Sequence, residues 1–269
     1  MNRHQLRTRH RAVCPGIYAP FHMQMSLQNR ILAAWLRSRR EGIVAGLAAA
    51  ALHGAKWIDD DVRVELVYSN PRAPQGVKTR RDVLLDDEVE TRDCFRLTTP
   101  VRTAFDIGRR GRLDPAIARL DALTRATHLK LADVQALATR HHGAPGLRQL
   151  ETALELVDTG AQSPRETALR LMVIRDGLPR PETQIPVLAD DGLPIAYLDM
   201  GWPEWMVAIE YDGDQHRTDR RQYVKDIRRY EMLEKMGWII VRVVAEDRPA
   251  DITRRIRQAL ELRRFGPHA

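Results

Sequence analysis

The 269-residue chain carries 43 Lys and Arg residues against 36 Asp and Glu residues, a formal net charge of +7. With 43% hydrophobic and 29% charged residues and no low-complexity tract, the composition excludes a disordered or fibrous protein, and the length predicts two globular domains. The excess of positive charge is mostly arginine, which favours phosphate groups and nucleic acid as partners.

Targeting and redox signals are few. Cys14 and Cys94 are too far apart in the sequence for a disulfide framework or a zinc cluster, so we expect cytosolic thiols. The start of the chain has charge but no apolar core of a signal peptide, and the longest uncharged apolar stretch is too short to span a bilayer. The sequence therefore predicts a soluble, cytoplasmic protein.

The first half begins as a mixture of helix and strand. "LQNRILAAWLRSRR" has apolar residues at helical spacing, "GIVAGLAAAALHGA" favours a closely packed buried helix, and "VRVELVY" alternates like a strand. From Pro100 onward helical patterns dominate, and Asp114 and Pro115 indicate the N-cap and first residue of one helix. We expect a mixed α+β and then mainly helical N-terminal domain over residues 1–160.

A polar segment rich in Gly, Ser and Pro, "DTGAQSP", marks the domain boundary, and residues 161–269 follow a different pattern. The order is helix, three strands, helix, strand, helix, and Gly237 is expected at the C-terminal cap of the long second helix. This order predicts an α/β domain with helices covering a mixed sheet.

Acidic residues stand at the ends of two of these strands. Side chains alternate across a strand, so Glu210 and Asp212 in "MVAIEYD" share one face, and Asp199 ends the preceding strand. Antiparallel pairing would bring Asp199 close to Glu210, where the two charges repel unless a cation lies between them. A hard divalent ion such as Mg²⁺ suits carboxylate oxygens, acidifies its bound water and stabilises charge on a transferring phosphate.

The string E-x-D-G-x-Q-H (Glu210 to His216) and the later D-x-x-R (Asp226, Arg229) resemble the PD-(D/E)XK, or restriction-endonuclease-like, superfamily. The closer likeness, from Ser163 to the C-terminus, is to small domains related to very-short-patch-repair endonucleases. The resemblance implies an α-β-β-β-α-β core in which Asp199 and Glu210 hold Mg²⁺ or Mn²⁺ and Glu166 completes the acidic shell. It implies one catalytic set: Glu166, Asp199, Glu210, Asp212, Gln215 and His216.

One departure from that pattern affects the chemistry. The pattern requires a lysine two residues after the second acid, and this chain has Asp212 there. Gln215, His216 or Lys225 would have to replace that cation, and a histidine would serve as a general base or a phosphate contact.

Several residues also have a purely structural interpretation. Ser163, Pro164 and Glu166 form a capping-box pattern, and Asp212-Gly213 is typical of a turn. His216 would then be a surface histidine, and the acidic run "DDEVE" (86–90) is interpreted as a solvated loop. The basic residues of the long helix form either solvent surface or a track for DNA phosphates; they are Arg220, Arg221, Lys225, Arg228 and Arg229.

The first half resembles the AbiEi-type abortive-infection antitoxin family through "GIVAGLAAAALHG" and "LTTPVRTAFDIGRR". Members begin with a winged helix-turn-helix, of which "RAVCPGIYAP" matches only the end of the wing. His53 and the Arg102–Asp106 pair are interpreted as packing and a local salt bridge.

Two hypotheses of function follow. The first is a Mg²⁺-dependent endonuclease that acts on DNA in repair or phage defence. The alternative is a non-catalytic nucleic-acid-binding or antitoxin-like regulator with a degenerate nuclease fold. Acids that faced apart, or acids held by arginines with no room for an ion, would contradict the first.

Overall fold

A computed structural model describes residue 6 and residues 8–70, 72–212 and 220–264; for residues 220–223 and 264 only the backbone is described. The chain divides into two compact units, Met1–Val157 and Asp158–Ala269, close to the boundary that the sequence predicts at residue 160.

The first part of the N-terminal unit consists of a hairpin, two helices and a sheet. Its elements are β1 (His10–Cys14), β2 (Ile17–Pro20), α1 (Leu27–Arg37), β3 (Ile43–Ala45), α2 (Gly46–Leu52), β4 (Val64–Val67), β5 (Val77–Arg80), β6 (Val89–Arg92) and β7 (Phe95–Thr98). The sheet order is β5-β4-β3-β7-β6, with parallel β3–β7 and β4–β5 pairs. Apolar side chains of α1, α2 and this sheet form one core.

Two predictions for this part were wrong. The alanine-rich stretch is not helical throughout, because Ile43–Ala45 pairs with β4 and β7 before α2 begins at Gly46. The run at 86–90 is not a solvated loop. It forms a short 3₁₀ helix followed by β6, and Glu88 is only 2% exposed.

The second part of the unit is helical, as predicted, with α3 (Pro100–Gly108), α4 (Leu113–Thr127), α5 (Leu131–Arg140) and α6 (Leu147–Leu156). The side chain of Thr99 caps α3, and Pro100 takes its first position. Asp114 is not the N-cap of α4, since Arg112 holds that position and Asp114 lies in the first turn. There its negative charge still complements the helix dipole.

The Arg102–Asp106 pair on α3 belongs to a buried ionic network. Arg102 Nε donates to Asp106 Oδ2 at 3.2 Å, and Arg102 Nη1 donates to Glu88. Asp106, 1% exposed, also accepts from Arg109 Nη2 at 2.8 Å. Buried His53 contacts the carbonyl of Thr98 at 2.8 Å, which agrees with a packing role. The network connects α3 to the 3₁₀ turn that precedes β6.

The C-terminal unit has the predicted order of elements. They are α7 (Pro164–Arg175), β8 (Glu182–Leu188), β9 (Pro194–Trp202), β10 (Val207–Asp212), α8 (Arg220–Lys235), β11 (Ile239–Val244) and α9 (Pro249–Arg264). The sheet order is β11-β10-β9-β8; β10 and β11 are parallel and the other pairs antiparallel. Gly237, with φ of +92°, follows α8 as predicted. The protein is therefore an α/β protein with mixed sheets.

Strand β10 is central and buries both of its faces. Val207 and Ile209 pack in one core with α7 and α9, whereas Ala208 packs with Leu233 of α8 in another. This alternation directs Glu210, two residues after Ala208, towards α8.

Within the residues that the structure describes, no helix is long and apolar enough to cross a membrane.

Candidate functional site

The candidate site lies where β9 and β10 separate. Their antiparallel ladder extends to Ile209 opposite Met200. The next backbone amide of β10 that faces β9, on Tyr211, donates to Oδ2 of Asp199 at 2.9 Å instead of continuing the ladder. Asp199 and Glu210 therefore flank the point at which the strands part, as the antiparallel prediction requires.

Glu210 is 4% exposed, and α8 supplies hydrogen bonds to both of its carboxylate oxygens. Arg229 Nη1 donates to Oε2 at 2.8 Å and Arg229 Nη2 to Oε1 at 2.5 Å, while the hydroxyl of Tyr230 donates to Oε2 at 2.8 Å. Arg229 Nη2 also donates to the carbonyl of Tyr197 on β9 at 2.8 Å. A bidentate guanidinium is a strong, geometrically specific partner for a carboxylate. The cation beside Glu210 in this structure is thus an arginine.

Asp199 has an unusual acidity for an aspartate. Partial burial raises the pKa of its carboxyl from 3.8 to about 7, the hydrogen bond from Tyr211 opposes the rise, and the charges of Glu166 and Glu210 add to it. The two other predicted acids therefore lie close enough to Asp199 for their charges to act on it. The structure brings together Glu166, Asp199 and Glu210 from α7, β9 and β10.

Glu166 makes the contacts of the capping-box interpretation. Its amide donates to Ser163 Oγ at 3.2 Å, and its carboxylate accepts from Ser163 Oγ at 2.9 Å and from the Gln162 amide at 2.7 Å. Glu166 thus stabilises the start of α7 and also lies near Asp199.

Asp212 contacts a different arginine. Arg242 Nη2, from the neighbouring strand β11, donates to Asp212 Oδ2 at 2.5 Å, and the Arg242 guanidinium lies 4.5 Å from the centroid of the Tyr230 ring. The position that the family pattern gives to lysine is here an ion-paired aspartate. Among the described residues, the cation that hydrogen-bonds to Asp212 is Arg242, and the cation that hydrogen-bonds to Glu210 is Arg229.

The three acids fit a hard divalent ion in ligand type but not in their present arrangement. The described residues contain no group of three His, Cys, Asp or Glu side chains placed to hold a metal. Within the same part of the chain, Oδ1 of Asp199 is the only oxygen of the three carboxylates without a hydrogen bond. To bind Glu210, an ion would have to displace the Arg229 guanidinium from its carboxylate. An arginine thus holds Glu210, whereas no arginine hydrogen-bonds to Asp199 among these residues, so the contradicting arrangement, in which arginines hold both acids, is not complete.

The structure describes the side chains of three of the five basic residues predicted on the long helix. Lys225 and Arg228 are exposed on α8, while the side chains of Arg220 and Arg221 are not described. Arg229 does not belong to this exposed face, because it turns to Glu210. Gln215 and His216 lie outside the described residues.

Sequence reasoning missed Arg229 and Tyr230 as partners of Glu210. A signal existed, because Leu233 is fully buried against the sheet and residues three and four positions apart share a helix face. Tyr230 and Arg229 precede Leu233 by those spacings, which places both on the helix face that meets the sheet and its strand-end acids.

The chain is similar to two proteins of Mycobacterium tuberculosis, uncharacterized protein MT2308 of strain CDC 1551/Oshkosh and uncharacterized protein Rv2248 of strain H37Rv. Each is 29% identical over 262 residues, which cover 93% of this chain and 92% of the relative. No protein-family model and no solved structure matches the chain. The similarity extends across both units.

Proposed function

We propose that the C-terminal unit is a metal-dependent endonuclease domain of the PD-(D/E)XK type that hydrolyses DNA phosphodiester bonds, in DNA repair or in defence against phage. The observation that carries the proposal is the meeting of three acids from three separate segments, where burial and then the charges of Glu166 and Glu210 raise the pKa of Asp199. Like charges beside a partly buried carboxyl disfavour its ionised form, so such a cluster indicates a functional site.

The position of the acids in the fold supports the same proposal. They lie on the first helix and on the second and third strands, in the order helix, three strands, helix, strand that the resemblance implies. Asp199 and Glu210 would hold Mg²⁺ or Mn²⁺, with Glu166 as a further acidic group. The ion would supply an acidified water and neutralise charge on the phosphate.

The exposed cations of α8 provide a surface for the substrate. Lys225 and Arg228 are exposed on the same helix that contacts Glu210 through Arg229 and Tyr230. A duplex bound along this helix would bring its phosphates to the acidic site, and such binding should weaken steeply with salt.

A second candidate is a non-catalytic nucleic-acid-binding or antitoxin-like regulator with a degenerate nuclease fold. The observation that favours it is the pair of α8 side chains, Arg229 and Tyr230, that already satisfies Glu210. With Asp212 in place of a lysine, an arginine rather than a metal would then stabilise the strand end permanently.

Cleavage assays separate the two candidates. The full chain is incubated with supercoiled plasmid and with single-stranded DNA in Mg²⁺ or Mn²⁺, as wild type, Glu210→Ala and Asp199→Ala. Glu246→Ala, a change of an exposed acid on the loop after β11, is the matched control.

Nicking by wild type and the control that is lost in both site variants supports the endonuclease. DNA retardation by every protein, with no cleavage by any of them, refutes the endonuclease and supports the regulator. Cleavage that persists in Glu210→Ala places the activity outside this site.

A further inference from the structure

We infer that Arg229 is a built-in competitor of the divalent ion: its guanidinium closes the acidic site when no metal is bound and leaves Glu210 when a metal enters. The inference rests on the proposed function, because it concerns the regulation of the same site. It follows from the contacts, exposure and neighbours of Arg229.

The first step is the position of the guanidinium. Arg229 contacts both oxygens of Glu210 and the carbonyl of Tyr197, on the strand that also carries Asp199. A positive group that bridges β9 and β10 stands at the place where the sequence predicts an ion between their acids. Arg229 and the ion therefore compete for one carboxylate.

The second step is the asymmetry of burial. The side chain of Glu210 is 5% exposed, whereas that of Arg229 is 31% exposed. Arg229 is long and its guanidinium is partly exposed, so rotation of the side chain would return its charge to water. Glu210 has no such route, and an unpaired buried carboxylate is costly, so a replacing cation must arrive as Arg229 leaves.

The third step is the comparison with the other arginine at this strand end. Arg242 pairs with Asp212, but its side chain is 51% exposed and that of Asp212 is 23% exposed. An exposed pair contributes little and has no buried partner to protect. Arg242 therefore provides a matched control, because it also pairs with an acid of β10 but has no hydrogen bond to Glu210 among the described residues.

The test measures Mn²⁺ binding to the full chain by calorimetry or electron paramagnetic resonance. We expect Arg229→Gln to bind Mn²⁺ at least about tenfold more tightly than wild type, a gain of ~1.4 kcal/mol. Arg242→Gln should bind as wild type does. The double variant Arg229→Gln/Glu210→Gln should lose the gain, since the competed ligand is gone.

A second readout distinguishes competition from a merely structural pairing. In EDTA, Arg229→Gln should melt below wild type, because Glu210 has lost its partner; Mn²⁺ should restore most of the difference. Failure of Mn²⁺ to restore it would show a structural salt bridge. Should Arg229→Gln not fold, Arg229→Lys carries both measurements, because a lysine keeps the charge but lacks the fork that binds both oxygens.

Equal Mn²⁺ affinity of wild type and the folded Arg229 variants, or no Mn²⁺ binding by those variants, would overturn the inference. Its failure is distinguishable from failure of the proposed function. Tighter Mn²⁺ binding by the Arg229 variants without DNA cleavage by any protein would support competition by Arg229 and refute the endonuclease. DNA cleavage by wild type with unchanged Mn²⁺ affinity in the variants would support the endonuclease and refute competition by Arg229.

Discussion

Replacement of Asp199 by asparagine should stabilise the protein, and only above acidic pH. Partial burial and the neighbouring carboxylates raise the pKa of Asp199 from 3.8 to about 7 in the folded state. The folded protein therefore retains a proton that the unfolded chain has released, and a rise in pH through this window favours the unfolded chain. The penalty is absent below about pH 3.8, develops between the two pKa values and is complete above pH 7.

The magnitude follows from the size of that change. Each unit of pKa corresponds to about 1.4 kcal/mol, so the rise sets an upper limit of ~4 kcal/mol at pH 8. The charge of Arg229 and the partial exposure of Asp199 reduce it, and we expect a gain of about 1–3 kcal/mol. Asparagine keeps an oxygen that accepts from the Tyr211 amide, so the hydrogen bond at the strand end survives.

The assay is urea denaturation in EDTA at pH 4, 6 and 8, followed by tryptophan fluorescence from Trp202, Trp205 and Trp238 of the same unit. The difference in the free energy of unfolding between Asp199→Asn and wild type should be near zero at pH 4 and grow to a plateau above pH 7. Asp212→Asn removes a partly exposed ion-paired carboxylate and serves as the control. A constant difference across pH, or destabilisation by Asp199→Asn at pH 8, would refute the reasoning.

Three further changes test packing and charges in the two units. Gly201→Ala should destabilise the C-terminal unit by ~3 kcal/mol in chemical denaturation, because the new Cβ would lie 2.3 Å from the carbonyl oxygen of Val207 on β10. Gly143→Ala is the control and should be nearly neutral, because no atom lies within 4 Å of the position that its Cβ would take. Asp247→Asn should lower the melting temperature more at pH 7 than at pH 2.5, because the Val244 amide and Arg255 lower the pKa of Asp247, so its contribution declines as pH falls from 3.8 through that lowered pKa. An equal loss at both pH values would contradict this. Arg102→Met should lower the free energy of unfolding by about 3–5 kcal/mol, because it leaves Glu88 and Asp106 buried without their shared cation. Arg140→Gln, which breaks an exposed ion pair, is the control. A loss in Arg102→Met no greater than that of the control would show that the network contributes little.

These results bear on how far the acids serve stability. If Asp199→Asn stabilises the fold, the wild-type chain retains an aspartate at a position where an uncharged residue would be more favourable. Such a trade is expected at a functional site and not at a structural one. The stability series therefore informs the proposed function independently of any cleavage assay.

The sequence by itself determined the order of elements in the C-terminal unit, because its strands are apolar runs bounded by turns and its helices carry their own end signals. Ser163, Pro164 and Glu166 start α7, and Gly237 follows α8, through contacts with residues close in the chain. Alternation along β10 likewise predicted that Glu210 and Asp212 lie on one face. These features depend on local spacing, which a sequence displays directly.

The first half was harder to predict for the same physical reason. β5, β6 and β7 are four-residue strands with polar or charged members, and only pairing with distant neighbours gives them their conformation. In the sequence, Glu88 is one member of an acidic run. Its burial depends on the contact with Arg102, on the helix after β7. Such contacts join residues far apart in the chain, so the periodicity of apolar residues in the sequence does not indicate them.

Tertiary structure alone decided what the strand-end acids bind. Glu210 meets Arg229 and Tyr230 because α8 packs Leu233 on the same face of the sheet, and Asp199 acquires its raised pKa because the packing of the unit partly buries it and because α7 and β10 bring two further charges beside it. The sequence supplied the carboxylates and their order along the chain. The cation beside Glu210, and the protonation of Asp199, depend on the packing of helices against the sheet, which sets the distances through which charges act.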